Sequence, residues 1–181
     1  DQIGLFVVNR NADGTQAALQ PAGNHVDNML YTYSDAWTPA TPVYWKDDRT
    51  CADFYMYYPY RNTVSSVSAM PFDVAADQST VSAYKAADLL VGSTLNVAPK
   101  KQAVGIVAKH VMSQVEIVLK AGNGFTDASL ASAEVSLRLN DMKTSATVDL
   151  STAAVTATGT ASSLTPYKDG GTYRAIVVPQ K

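Results

Sequence analysis

Apolar residues in this chain recur mostly at every second position, the period of a strand with one buried face. IGLFVV (3–8) is a short run rich in β-branched and aromatic residues. Asn11, Asp13 and Gly14 follow it and are turn formers, so a strand entering a tight turn is expected. NMLYTY (28–33) alternates, with Met29, Tyr31 and Tyr33 on one face. PVYW (42–45) reads as a further strand, and the charged turn KDDR (46–49) separates it from DFYMYYPY (53–60). In that last run Phe54, Met56 and Tyr58 share one face and Tyr55 and Tyr57 the other, until Pro59, which cannot donate to a ladder, ends it.

Residues 61 to 100 are rich in small polar side chains, and STVSAYKAADLL (79–90) is the one helical hint. VGIVAKHVMSQVEIVL (104–119) then reads as a long strand. Its apolar phase changes between Met112 and Val115, which a bulge near Ser113 would reconcile. Its load of valine and isoleucine disfavours a helix. After the turn AGNG (121–124), EVSLRLNDM places Val135, Leu137 and Leu139 on one face, ATVDL follows, and TYRAIVVPQK closes the chain. Turn signals recur about every ten residues, which predicts an all-β sandwich class rather than α/β. The AGNG turn and the serine-rich stretch before residue 100 are both candidate boundaries; a break near Pro99 is preferred, giving domains 1–100 and 101–181.

Composition narrows the function classes. A chain of 181 residues can hold one large domain or two small ones. Hydrophobic residues make up 46% and charged residues 17%, and the formal net charge is -2. That balance argues against nucleic acid as a partner, because nothing would neutralise a run of phosphates. No apolar run approaches the roughly 18 residues that span a bilayer, so no transmembrane segment is expected. DQIGLFVV has no basic region and no small-residue cleavage site, so an export signal was either never there or has been removed.

Candidate chemistry is sparse. The single cysteine, Cys51, excludes an internal disulfide framework and reads as a structural thiol. A nucleophilic cysteine needs a histidine, and neither His25 nor His110 is placed beside it by the sequence. His110, in KHVMSQVEIVL, reads as a strand residue satisfied by a backbone carbonyl near the opening of the second half. Asp47 and Asp48 could serve a glycosidase or bind calcium, but with Arg49 and Thr50 between two strands they read more simply as a solvated turn. Asp73, Asp77 and Asp88 have no calcium-loop spacing, Ser113 lies in no GxSxG elbow, and no HxxxH, HExxH or CxxC occurs. No catalytic residue, metal or cofactor is therefore expected. The cluster Tyr31, Tyr33, Trp37, Tyr44, Trp45, Tyr55, Tyr57 and Tyr58 either fills a core and its surface or offers a face for sugars or proteins.

The segments DQIGLFVV, WTPATPVYW (37–45), DFYMYYPY (53–60), DQSTVSAYKAADLLVG (77–92), KHVMSQVEIVL (109–119) and YRAIVVPQ (173–180) follow one another along the chain. In that succession they resemble the fimbrillin-like (Mfa-like) surface proteins of Gram-negative gut and oral anaerobes. Each is weak alone, but their order and spacing agree over nearly the whole chain. Gln114 departs from the lysine the family often has there. The resemblance implies two transthyretin-like β-sandwich domains in tandem, export as a lipoprotein, and assembly at the outer membrane as a pilus stalk, tip or anchor subunit. It also implies joining by strand exchange, in which a neighbour's strand fills a groove left by a removed first strand. The family pattern carries a strand before DQIG and continues past VPQ with further strands, so the second sandwich is expected to lack its last ones.

The leading expectation is thus a non-enzymatic structural or adhesive fimbrial subunit whose partners are other subunits, with Ile3, Leu5 and Val7 lining the exchange groove. The alternative is a carbohydrate-binding module that presents Trp37, Tyr44 and Trp45 to host or bacterial glycans. A hydrolase using Asp47 or Asp48 is a remote third.

Overall fold

A computed structural model describes residues 1–181. The protein is all-β, with 43% of residues in strands and 7% in helices. In chain order the elements are β1 (Gln2–Asn9), β2 (Val26–Tyr33), β3 (Trp37–Pro39), β4 (Ala52–Tyr58), β5 (Met70–Asp73), α1 (Val81–Ala86), β6 (Leu90–Val97), β7 (Ala108–His110), β8 (Ser113–Val118), α2 (Asp127–Ser132), β9 (Leu139–Val148), β10 (Val155–Leu164), β11 (Tyr167–Asp169) and β12 (Thr172–Val177). They form sheets in the orders β3-β2-β1-β4-β6-β7, β10-β9-β5 and β11-β12-β8.

The chain folds into two compact units. The first comprises Asp1–Phe72, Leu89–Val111 and Thr147–Val155; the second comprises Asp73–Asp88, Met112–Ala146 and Thr156–Lys181. The expected boundary at residue 100 lies inside the Leu89–Val111 segment of the first unit. The long strand expected over 104–119 is two strands in different sheets, β7 ending at His110 and β8 beginning at Ser113. The change of apolar phase near Ser113 therefore marks a change of sheet rather than a bulge. His110 sits in β7 opposite Leu90, in the first unit rather than at the opening of the second.

The first unit is organised by the antiparallel pair β1 and β4 at the centre of its six-stranded sheet. Phe6 pairs with Tyr55 and Gly4 with Tyr57 on one face; Leu5 pairs with Met56 and Val7 with Phe54 on the other. The first face is closed: Phe6 and Tyr57 are 0% exposed, and their rings lie 6.5 Å apart. Gly4 is required there, because a Cβ would fall 2.2 Å from Cε1 of Tyr57. The Tyr57 hydroxyl donates to Asn28 Oδ1 at 2.8 Å and receives the Arg61 amide at 3.2 Å. Asn28 adopts a φ of 41° where the β1–β2 register shifts, so the bulge aims its side chain at that hydroxyl. Asp53 is fully buried on this face, where Arg10 Nε donates to its Oδ1 at 2.9 Å and the Asn96 amide at 2.6 Å.

In the second unit, β12 is the most buried strand, with Tyr173, Ala175, Ile176 and Val177 in its core. Gln78 acts as a substitute for a strand residue. Its amide nitrogen donates to the Ile176 carbonyl at 2.7 Å, and its Oε1 receives the Ile176 amide at 2.9 Å. Gln180 repeats the device with Lys143, at 2.9 and 3.0 Å. Helix α1 starts where the helical hint places one, capped by Thr80. Residues 134–138 keep the alternating exposure of a strand but enter no sheet before Leu139.

Candidate functional site

The Leu5–Met56 and Val7–Phe54 face of the β1–β4 pair floors a large cleft in the first unit. Leu5, Val7, Val26, Ala52, Phe54 and Met56 form a buried apolar cluster. Ile3, Met29, Tyr31, Val43, Trp45, Val97, Val104, Ile106 and Ala108 pack around it while remaining partly exposed. The cleft above holds about 880 Å³ and reaches Asp1, His25, Tyr33, Trp37, Tyr44, Tyr58, Leu90 and Gln102 at its margins. Strand alternation explains this lining: the inward positions of β1, β2 and β4 are Ile3, Leu5, Val7, then Met29 and Tyr31, then Phe54 and Met56.

Two irregular segments wall the cleft. Pro42–Trp45 follows β3 at one edge of the sheet, and 103–107 leads into β7 at the other. Trp45 packs its ring edge-on against Phe54, with centroids 5.6 Å apart, and donates Nε1–H to the Lys100 carbonyl at 2.9 Å. His25 Nε2 donates to the Tyr44 carbonyl at 2.7 Å. At the rim, Tyr33 and Trp37 lie 5.2 Å apart at 54°, both nearly half exposed, and Tyr44 is 76% exposed. Burial lifts the Tyr31 phenol above its usual range, so it stays neutral throughout the physiological range.

All six residues singled out in the sequence lie here. Ile3, Leu5 and Val7 form part of the floor, and Trp37, Tyr44 and Trp45 form part of the wall and rim. The family resemblance, through the strand-exchange groove it implies, pointed to the first set. Nothing in the sequence showed that Met29, Tyr31, Phe54 and Met56 join that floor, or that 103–107 crosses above it, because both depend on strand order. His25, Tyr31, Tyr33 and Tyr58 of the other candidates also line the cleft, and the remaining ones are elsewhere. Cys51 is half-buried just before β4, its carbonyl receiving the Arg10 amide at 2.9 Å. Asp47 is a turn former: its carboxylate receives the Thr50 hydroxyl at 2.7 Å and the amides of Thr50 and Arg49 at 2.6 and 2.9 Å. Asp48 is almost fully exposed beside Arg49. Asp77 receives the Ser79 amide at 2.9 Å ahead of α1. No helix is long and apolar enough to cross a membrane.

A family model described as fimbrillin-like matches residues 1–181. Among curated proteins, the chain is 29% identical over 184 aligned residues to a candidate fimbrium subunit of Bacteroides uniformis, Fim1C, covering 99% of this chain and 57% of that protein. The chain thus spans little more than half the length of that relative. Among solved structures, a candidate cell adhesion protein from Bacteroides uniformis matches with a TM-score of 0.76 at 27% identity, over 99% of this chain and 68% of that one. A candidate cell adhesion protein from Bacteroides ovatus matches with a TM-score of 0.71 at 18% identity, over 99% and 68%. A fimbrial protein from Bacteroides ovatus matches at 0.54 and 20%, over 100% of this chain and 37% of that one. The last two likenesses are of fold.

Proposed function

This chain belongs to the fimbrillin-like family, and we propose that it is a non-enzymatic fimbrial subunit, joined to neighbouring subunits by strand exchange at the cell surface. The observation that carries the reading is the open apolar face of the β1–β4 pair. A cleft of about 880 Å³ lies over the buried side chains of Leu5, Val7, Phe54 and Met56, and the apolar residues around them, Ile3, Met29, Tyr31, Val43 and Ile106 among them, are only partly covered, a feature monomeric proteins rarely keep without a use. A strand from another subunit, bearing apolar side chains at alternate positions, would cover that face. Such a head-to-tail joint is heterologous and extends into a filament. The names of the relatives support the same direction, since they are described as candidate fimbrial and adhesion proteins. The reading includes tandem transthyretin-like sandwiches, lipoprotein export and an outer-membrane anchorage of the fimbria.

Sedimentation and electron microscopy of the purified chain with its co-expressed partner subunits test it. Ile3→Glu and Tyr31→Glu place a charge in the cleft at partly exposed positions, so each should leave the melting transition within a few degrees and abolish filament growth. Growth equal to that of the parent would remove the cleft from the joint.

A second reading keeps one observation in its favour. Trp37 and Tyr44 are well exposed at the rim, where they could stack on sugar rings; Trp45 is less suited, its indole N–H being held by Lys100. A glycan array signal lost in Trp37→Ala but retained in Ile3→Glu would favour carbohydrate binding.

A further inference from the structure

We propose that a second, polar crevice in the first unit, lined by Gln16, Tyr55, Ser68, Asp149 and Ser151, binds a single neutral sugar residue. The crevice shares no lining residue with the apolar cleft, and the inference stands independently of the strand-exchange reading.

Three connections of the first unit meet there. They are residues 16–19 between β1 and β2, Val67 and Ser68 between β4 and β5, and the turn 149–154 between β9 and β10. Together they bound about 300 Å³, at the lower end of the range for small-molecule sites. Each connection is tied in place. Gln16 Nε2 donates to the Tyr55 hydroxyl at 2.7 Å. The Leu150 amide donates to the Val67 carbonyl at 2.8 Å, which joins the second connection to the third. Within the third, the Ala153 amide donates to the Asp149 carbonyl at 2.8 Å. The site is thus formed before a ligand arrives, and little ordering opposes binding.

The lining offers both a donor and an acceptor. Tyr55 is 1% exposed, and its hydroxyl accepts the Gln16 bond while giving its own proton to no protein acceptor. A buried O–H calls for one. Burial lifts this phenol above its usual range against the pull of the Gln16 bond, and the Asp53 and Asp149 charges add to burial, so the proton stays on. Asp149 supplies the complement. Its Oδ1 receives the Ser151 amide and hydroxyl at 2.8 and 2.6 Å and the Thr152 amide at 3.1 Å, while Oδ2 takes none of these bonds. Burial would raise the Asp149 carboxyl, but the bonds from Ser151 and Thr152 outweigh it and hold the group below its ordinary value, ionised at neutral pH. Half-buried Leu19 and buried Val67 add an apolar side. A sugar hydroxyl can accept from Tyr55 and donate to Asp149, and a ring with several hydroxyls and C–H edges matches the mixed lining. The carboxylate repels acidic sugars. A divalent cation fits less well, because Asp149 is the one carboxylate in the lining and such ions take about six or more oxygens.

The test follows the isotope-labelled chain by NMR while the methyl glycosides of glucose, galactose, mannose and N-acetylglucosamine are added in turn, with methyl glucuronide as the acidic control. At least one neutral glycoside should bind saturably with a Kd of roughly millimolar order, moving the signals of the Gln16 side-chain amide and the Ser68 and Ser151 backbone amides. The glucuronide should bind roughly tenfold weaker or not at all. Ser68→Phe fills the crevice from an exposed position and should abolish these shifts without moving the melting transition. Tyr55→Phe removes the hydroxyl alone and should weaken binding about fivefold. Asp149→Asn keeps the shape of the side chain, and should weaken binding about tenfold and erase the discrimination against the glucuronide. Trp37→Ala, at the rim of the apolar cleft, should bind as the parent does. Binding lost in Trp37→Ala and kept in Ser68→Phe would move the sugar to that rim and overturn the inference. So would the lack of a saturable shift with any neutral glycoside. Glucuronide binding as tight as that of the neutral sugars would overturn the assigned ligand class.

Discussion

The two faces of the β1–β4 pair are built from the same kinds of residue and finished differently. On the closed face Phe6, Val8, Tyr55 and Tyr57 are all 5% exposed or less, and both tyrosine hydroxyls have hydrogen-bond partners. On the open face Leu5, Val7, Phe54 and Met56 are comparably buried, but the residues around them are only partly covered, and a cleft of about 880 Å³ remains. A sheet with two apolar faces needs a layer on each. Here one layer is complete and the other consists of two unpaired segments. On the proposed reading, the difference places stability on one face and subunit binding on the other.

Mutations should separate the two. The largest expected effects lie on the closed face. Arg10→Ala leaves the buried carboxylate of Asp53 without its cation, and losing one partner of a buried pair costs about 3 to 5 kcal/mol. Phe6→Ala, at a site with no exposure, opens a cavity costing about 3 to 5 kcal/mol. Urea denaturation of each variant measures the loss. A cost under about 1 kcal/mol for both would show that the closed face does not carry the fold. Gly4→Ala comes next. Its new methyl group meets the Tyr57 ring, which is fixed by Asn28 and Arg61, so overpacking should cost about 1 to 3 kcal/mol. Across the sheet, Ile3→Ala should cost under about 1.5 kcal/mol, since its side chain is only partly covered, yet it should weaken subunit association more than any of the closed-face variants that still fold.

Much of this contrast was legible in the sequence, and the illegible part has a physical reason. The face assignments of Ile3, Leu5 and Val7, of Met29 and Tyr31, and of Tyr55 and Tyr57 follow from period-two alternation, and the structure places each as that pattern does. Alternation reports a side chain's face but not its neighbours, so the joining of β1, β2 and β4 into one floor required the strand order. PVYW and the start of VGIVAKHVMSQVEIVL read as strands because their side chains alternate, although residues 42–45 and 104–107 enter no sheet. The change of sheet between His110 and Ser113 left a mark, the break in apolar phase between Met112 and Val115, but such a break reads equally well as a bulge within one strand. Gln78 and Gln180 gave no local signal, because each substitutes for a backbone partner far away in sequence. Helix α2 was missed as well. Its capping box uses Thr126 and Ser129, and serine at the second position is a weaker mark than glutamate.

The smallest expected effect concerns the turn that links an open wall to the closed pair. Lys46–Thr50 joins Pro42–Trp45 to β4, and Asp47 organises it. The Thr50 hydroxyl, then the amides of Thr50 and Arg49, hold the Asp47 carboxyl down to about 2, below its ordinary value of 3.8. A folded-state value below the unfolded one means that the carboxylate favours the folded turn above about pH 4. That contribution fades as pH falls toward 2, when the carboxyl takes up a proton and ceases to accept these bonds. Asp47→Asn should therefore leave the closed face and the melting transition near neutral pH almost unchanged. It should flatten the acid dependence of stability between about pH 4 and 2, and it should loosen the adjoining wall, seen as faster amide exchange at Val43 and Trp45 than in the parent. An acid profile identical to the parent's, with unchanged exchange at those two amides, would show that the turn does not set the position of the wall.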